Sequence, residues 1–342
     1  MERLKLMLRW KLSKSKIILN IIISLILIVL SLLIVANRQR IIDQITVWQF
    51  HATSAITALV DRAGMNSNGK FLYLASQPIL DSTQNFNNEC DRIENTTSIL
   101  GCYSNSRIFV YDVTDQKLDG IREVTATHET LHAVYARLDS TEKAKIDVLL
   151  EAEYKKLENN KDYSDRMAFY ARTEPGERDN ELHSVIGTEI ANINPDLEKY
   201  YDNYFSDRQK VVALNTKYSS VFINLKNHAN VLLAQLNALS KSISSGTEKY
   251  NSDVKTLNSD IIAFNKRADS GSGFNSQSQF NSERAVLSAR VDELDVNRSK
   301  IDSDIATYDQ ILAEYNSLAS ESKKLYNSID STLAPAPAEP TI

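Results

Sequence analysis

"THETLHAVYARL" (residues 127–138) carries two histidines four residues apart, with a glutamate directly after the first. On a helix, residues at that spacing stand one above the other on the same side. His128 and His132 therefore reach one metal ion from a single rigid element. Zinc takes neutral imidazole and carboxylate ligands in a tetrahedral set. Glu129 is then placed beside the water on the metal. Zinc lowers the pKa of that water toward 7, and a neighbouring carboxylate takes its proton as it attacks a carbonyl. The H-E-x-x-H string is thus a set of parts with defined roles. The plain alternative is two polar residues aligned by chance on a surface helix. The surroundings favour the metal. Val124, Leu131, Val134 and Leu138 form an apolar stripe flanked by the histidines, and Ala126, Ala133 and Ala136 permit close packing.

A catalytic zinc takes a third protein ligand. The residues that follow, "AVYARLDSTEK" (133–143), offer no further histidine. The stretch "RDNELHSVIGTEI" (178–190) does offer ligands: Glu181 first, Glu189 second, His183 third. The pairing of an H-E-x-x-H helix with a later N-E-x-x-S helix resembles the gluzincin metallopeptidases, of which thermolysin is the best-known type. In that family the glutamate after the asparagine is the third zinc ligand. Asn180, Glu181 and Ser184 match the pattern, so the resemblance implies a ligand role for Glu181. It covers only these two short helices. The family's aspartate that supports a ligand histidine is replaced here by Val185, and Glu189 is the alternative support. The regions flanking the two motifs do not resemble thermolysin. The whole arrangement is similar to a set of membrane-anchored bacterial proteins with a C-terminal coiled coil.

"EKYYDNYFSDR" (198–208) follows at once. Its tyrosines read first as packing residues. Tyr204 or Arg208 is alternatively the group that stabilises the oxyanion formed when water attacks. His183 reads first as a satisfied helix residue; its nearness to Glu181 makes it alternatively a catalytic acid. His51 and His228 fall in amphipathic segments and read as structural.

Residues 17–36 contain no charge. Apart from Asn20, Ser24 and Ser31 they are apolar, and twenty residues at the helical rise span roughly 30 Å, the thickness of a bilayer core. Arg3, Lys5, Arg9, Lys11, Lys14 and Lys16 precede the run, and only Arg38 and Arg40 follow closely. The positive-inside rule places the N-terminus in the cytoplasm and the rest outside it. A cleaved signal peptide is the rival reading. Cys90 and Cys102, both beyond the run, read as a disulfide of an oxidising compartment.

Beyond the span, residues 37–65 read as one continuing helix, ended by "GMNSNGK". "KFLYLAS" (70–76) and "RIFVYDV" (107–113) read as strands. Helices are expected at 121–138, 140–158, 177–193 and 195–205. Leu225, Ala229, Leu232, Leu236, Leu239 and Ile243 begin a stripe with the period of a coiled coil, and Ile301, Ile305, Tyr308 and Leu312 belong to a second one. Two such arms joined by a Gly/Ser loop most simply form an antiparallel hairpin. Phe274 and Phe280 in that loop either meet a partner or cap the hairpin core. The ending "APAPAEPTI" reads as disordered.

The expected fold is mainly α. A basic cytoplasmic tail (1–16) and a transmembrane anchor (17–36) lead into a small α+β zincin-like domain with few strands (37–205). A coiled-coil helical hairpin (206–331, tip loop 268–282) and a disordered tail (332–342) follow. The expected function is a membrane-anchored zinc peptidase. It would act on an extracytoplasmic protein or peptide, with an envelope partner on the coiled coil. The rival is a non-catalytic envelope scaffold with a structural or relic zinc site. A net charge of −5 argues against nucleic acid. The phosphate-cradling glycine motifs and G-x-S-x-G are missing, which removes support for nucleotide binding and serine hydrolysis.

Overall fold

A computed structural model of the chain describes residues 2–90, 99–173 and 175–331. The described chain is mainly helical, with one small sheet and two long helices toward the C-terminus. It divides into two compact units. One runs to Ser219 and is rejoined by the stretch from Ser328; the other is Ser220–Asn327. The tail 332–342, expected to be disordered, lies outside the described residues.

The first unit starts with α1 (Glu2–Ala36). Its segment Leu19–Ala36 is long and apolar enough to cross a membrane, and none of it is buried by the protein. Asn37 leaves the helical path at φ −106° and ψ 16°, and α2 (Arg38–Gln49) begins there. The single helix expected over 37–65 is two. Phe50 ends α2 in extended backbone, and the side chain of Thr53 accepts the Ile56 N–H to start α3 (Ser54–Arg62). The apolar residues of the two pieces serve different surfaces: Leu59 and Val60 are buried, whereas Ile41, Ile45 and Trp48 are exposed.

The strand expected at 70–76 is also a helix, α4 (Ser67–Ala75). The side chain of Asn66 caps it by accepting from the N–H groups of Asn68 and Gly69. Its buried positions, Gly69, Leu72, Tyr73 and Ala75, fall at helical spacing. A good cap and one buried face outweigh the strand preference of its aromatic residues. The second expected strand forms as β3 (Arg107–Tyr111). It is the centre of a three-stranded sheet, parallel to β1 (Ile79–Asp81) and antiparallel to β2 (Gly101–Ser104). Asn105 and Ser106, both at positive φ, make the two-residue turn between β2 and β3. A Cys90–Cys102 disulfide, with Cα atoms 5.8 Å apart, ties the end of α5 (Thr83–Glu89) to β2.

Under the sheet lies α6 (Ile121–Arg137), buried nearly all round. Ile121, Val124, Leu131 and Val134 pack into the main core. Thr125, Thr127 and Thr130 are also buried. Their hydroxyls donate to carbonyls four residues back, so the helix satisfies its own polar groups in a dry setting. An Asp139–Glu142 capping box opens α7 (Ser140–Leu157). The next helix, α8 (Lys161–Thr173), fills a stretch for which the sequence suggests no element. Then come α9 (Arg178–Glu189) and α10 (Pro195–Tyr201), the latter with Asn194 as cap and proline at its first turn. α6 and α9 approach closely because residue 187 is glycine. A Cβ there would run into Leu131 and into the ring of Tyr201, 2.9 Å away.

In the second unit, α11 (Gln209–Asp269) and α12 (Gln277–Ile329) make contacts that run in opposite sequence order. Phe222 meets Tyr326, His228 meets Glu314 at 3.1 Å, Ser242 meets Asp304 at 2.9 Å, and Arg290 meets Asp260 at 2.6 Å. Leu232, Leu236 and Leu257 are buried between them. At the connecting loop Phe264, Phe274 and Phe280 close on one another, with ring centroids 5.1–5.2 Å apart.

One buried ion pair joins α2 to α6. Arg137 donates to both carboxylate oxygens of Asp43 at 2.9 and 3.0 Å, and Asp43 is 3% exposed. The variant Arg137→Met leaves that carboxylate buried without a cation. It is expected to lose about 3–5 kcal/mol, measured as a lower denaturation midpoint of the full chain in detergent. The double variant Asp43→Leu/Arg137→Met is expected to recover most of the loss.

Candidate metal centre

Two helices build the centre. α6 presents His128 and His132 one turn apart, and α9 presents Glu181 in its first turn. Nε2 of His132 lies 3.4 Å from Oε1 of Glu181, and Nε2 of His128 lies 3.7 Å from Oε2. One ligand atom from each of the three falls within 4.8 Å of the others. A zinc ion held tetrahedrally by nitrogen and oxygen separates its ligand atoms by about 3.3 Å, so the spacing suits that coordination.

The carboxylate carries a second sign. Oε2 of Glu181 is buried and has no hydrogen-bond partner, and 3.7 Å to His128 is too long for one. A buried carboxylate oxygen without a partner is costly unless a cation meets it. Burial alone would raise the pKa of Glu181. The two imidazoles and the hydroxyl of Tyr170 outweigh it and hold the group ionised, as an anionic ligand must be. Burial pulls His128 down, but the carboxylates of Glu181, Glu129 and Glu189 leave its pKa raised. For His132 burial wins over Glu181, and its pKa is lowered toward the neutral ligand form.

Ring orientation is fixed from behind. Nδ1 of His132 lies 3.0 Å from Oδ1 of Asn180, and the Asn180 amide donates to Glu177 at 2.9 Å. That amide orientation puts the proton of His132 on Nδ1 and turns the lone pair of Nε2 toward Glu181. The support falls to Asn180, on the same turn as the ligand, and Glu189 is engaged elsewhere.

The remaining candidates sit as follows. Glu129 is buried (6% exposed) and lies against β2. A Cβ on Gly101 would stand 2.8 Å from its Oε1 and 2.6 Å from Thr125, so this edge of the sheet must be glycine for the carboxylate to fit. Glu189 pairs with Arg166 of α8. His183 is fully buried, its Nε2 2.9 Å from the Tyr200 hydroxyl, and burial pushes its pKa down to about 3. It is a neutral ring packed among Tyr135, Tyr200 and Tyr201. Tyr204 stacks on Tyr200, and its backbone carbonyl accepts from Asn66. Arg208 pairs with Glu198 and donates to the carbonyls of Ile190 and Ala191 at 2.7 and 3.1 Å, which closes the C-terminal end of α9.

Two residues near the centre have no signal in the sequence reading. Tyr170 reaches Glu181 and feels the charges of Glu129 and Glu189; burial keeps its hydroxyl protonated. It stands on α8, for which the sequence suggests no element; Asn160 accepts the Asp162 N–H at its start. Gly101 had no legible role, because its neighbour across the gap comes from a distant helix.

Compared with protein-family models, with curated proteins and with solved structures, the chain matches none.

The purified full chain is expected to hold one zinc ion, counted by elemental analysis after dialysis. Glu181→Ala and His132→Ala are expected to abolish that content. Asn180→Ala is expected to weaken zinc binding by about 10–100-fold in a competition assay with a chelating dye.

Proposed function

We propose that this protein is a membrane-anchored zinc peptidase whose metal is held by His128, His132 and Glu181. The observation that carries the reading is the composition of the centre. Among the described residues no fourth metal-binding side chain joins the three. The two nearest alternatives, His183 and Glu189, are taken up by Tyr200 and Arg166. A site with three protein ligands and an open position is the catalytic type, whereas a structural site is closed by protein. When bound, zinc would supply Lewis acidity and a water of lowered pKa.

The rest is done by the chain. The imidazoles and Glu181 hold the metal from two packed helices, and Asn180 keeps the ring of His132 from turning. Glu129, wedged between α6 and Gly101, accepts the proton of the attacking water and passes it to the leaving amine. Tyr170, protonated and beside Glu181, is the hydroxyl best placed to donate to the carbonyl oxygen as it gains charge. The zincin-like character of the domain belongs to this reading, as does its place outside the cytoplasm. So does the pairing of α11 with α12 as a coiled-coil hairpin that docks an envelope partner. The substrate is then an extracytoplasmic protein or peptide. The scaffold reading, in which the zinc site is structural or relic, has no observation of its own in its favour.

Glu129→Gln is expected to keep the zinc and lose about 10²–10⁴-fold in the rate of cutting an unstructured peptide. Tyr170→Phe is expected to keep the zinc and lose about 10²-fold in kcat. Wild-type chain that holds zinc and cuts no peptide would refute the peptidase.

A further inference from the structure

The outer face of α2 is apolar and uncovered. Ile41, Ile42 and Ile45 are 39–45% exposed and Trp48 is 74% exposed. Among the described residues of the first unit, α2 supplies every exposed large hydrophobic side chain outside α1 except Val148. The opposite face of the same helix is firmly held. Asp43 pairs with Arg137 of α6 and accepts from Gln39 at 3.0 Å; Arg40 lies 4.1 Å over the ring of Phe71 and bonds Asn68. The helix is therefore two-sided, with protein on one side and nothing on the other.

Chain length decides what covers the bare side. Ile41 follows the last residue of the apolar segment, Ala36, by five positions, about 7.5 Å of helix. The surface nearest to that point of the chain is the interfacial layer of the bilayer itself. The chemistry suits that surface. Tryptophan and isoleucine bury in the layer between headgroups and acyl chains, and Arg38, two residues past the span, carries the charge that lipid phosphates attract. Asn37, at φ −106° and ψ 16°, is the one non-helical residue between α1 and α2.

We infer that the exposed face of α2 lies in the bilayer interface, and that the Asp43–Arg137 pair thereby holds the metal centre beside the membrane. The inference rests on the anchor and peptidase readings and narrows them. His132 is five residues, about 7.5 Å of helix, from Arg137, so the centre is not carried on a free tether. Its substrate is a polypeptide segment presented in the membrane-proximal layer, such as the stretch directly outside another protein's transmembrane helix.

The chain has two tryptophans, so Trp10→Phe leaves Trp48 as the only one. In nanodiscs this variant is expected to show blue-shifted Trp48 emission, quenched by lipids brominated near the headgroup. Emission typical of water, unquenched by any brominated lipid, from a chain that floats with lipid would overturn the lipid contact. A chain that does not float with lipid refutes the anchor and takes the inference with it. The double variant Ile45→Lys/Trp48→Lys tests the positioning. It is expected to keep its zinc and its rate on a soluble peptide. It is expected to lose about tenfold on the same peptide displayed directly outside a transmembrane segment, because the local concentration advantage is gone. Equal loss on both peptides, or none on the displayed one, overturns the positioning. A wild-type chain that floats and cuts neither peptide refutes the peptidase and the positioning together, while the depth of Trp48 still decides the lipid contact.

Discussion

The close approach of α6 to α9 is the constraint on which the centre depends. Leu131 and the ring of Tyr201 occupy the space that a side chain at Gly187 would need. The two helices therefore meet with Glu181 facing the histidines and with Asn180 behind one of them. The contact is dry, and it can be dry because the buried hydroxyls of Thr127, Thr130 and Thr188 are satisfied by their own helices. In such a setting an ionised carboxylate is tolerated only where positive charge answers it, which is what makes Glu181 a ligand in waiting.

The centre is defined as much by what its neighbours remove. Around the two histidines the chain has further groups of the right chemistry, and each is held by a partner. Arg166 takes Glu189, Tyr200 takes His183, and Glu198 with the end of α9 takes Arg208. In low dielectric these pairs are strong and fixed. Three ligand atoms are left facing one another, with a glutamate and a tyrosine at the margin. α2 shows the same division, with its inner face tied to α6 through Asp43 and Arg137 and its outer face apolar and exposed.

Much of this was legible along the chain. The i,i+4 histidines and the alanines beside them are local signals, and α6, α7 and α10 form close to the ranges expected for them. The disulfide between Cys90 and Cys102 follows from two cysteines a short loop apart beyond an apolar segment. Other elements were opaque for a reason. "KFLYLAS" has strand-like residues, yet Asn66 caps it and the core buries its helical face. α8 has modest apolar content because much of its interior contact is made by long polar side chains and tyrosines. The surroundings of Tyr204 and Arg208 were opaque as well, because the sequence does not show that Tyr204 packs on Tyr200 or that Arg208 pairs with Glu198.

The sequence by itself determined that two histidines and a glutamate share one helix, and that an apolar segment of bilayer length precedes them. Periodicity and composition decide such things, and both are read within one element. Only the tertiary structure decided that Glu181, and not Glu189 or His183, completes the cluster. All three sit on α9: His183 differs from Glu181 by the rotation of that helix about its own axis, and Glu189 also by eight residues, about 12 Å, along it. That rotation is set by the missing Cβ at Gly187, by Leu131 and Tyr201 filling its place, and by Arg166 and Tyr200 claiming the rivals. These contacts join residues far apart in the chain, so no pattern along it could have carried them.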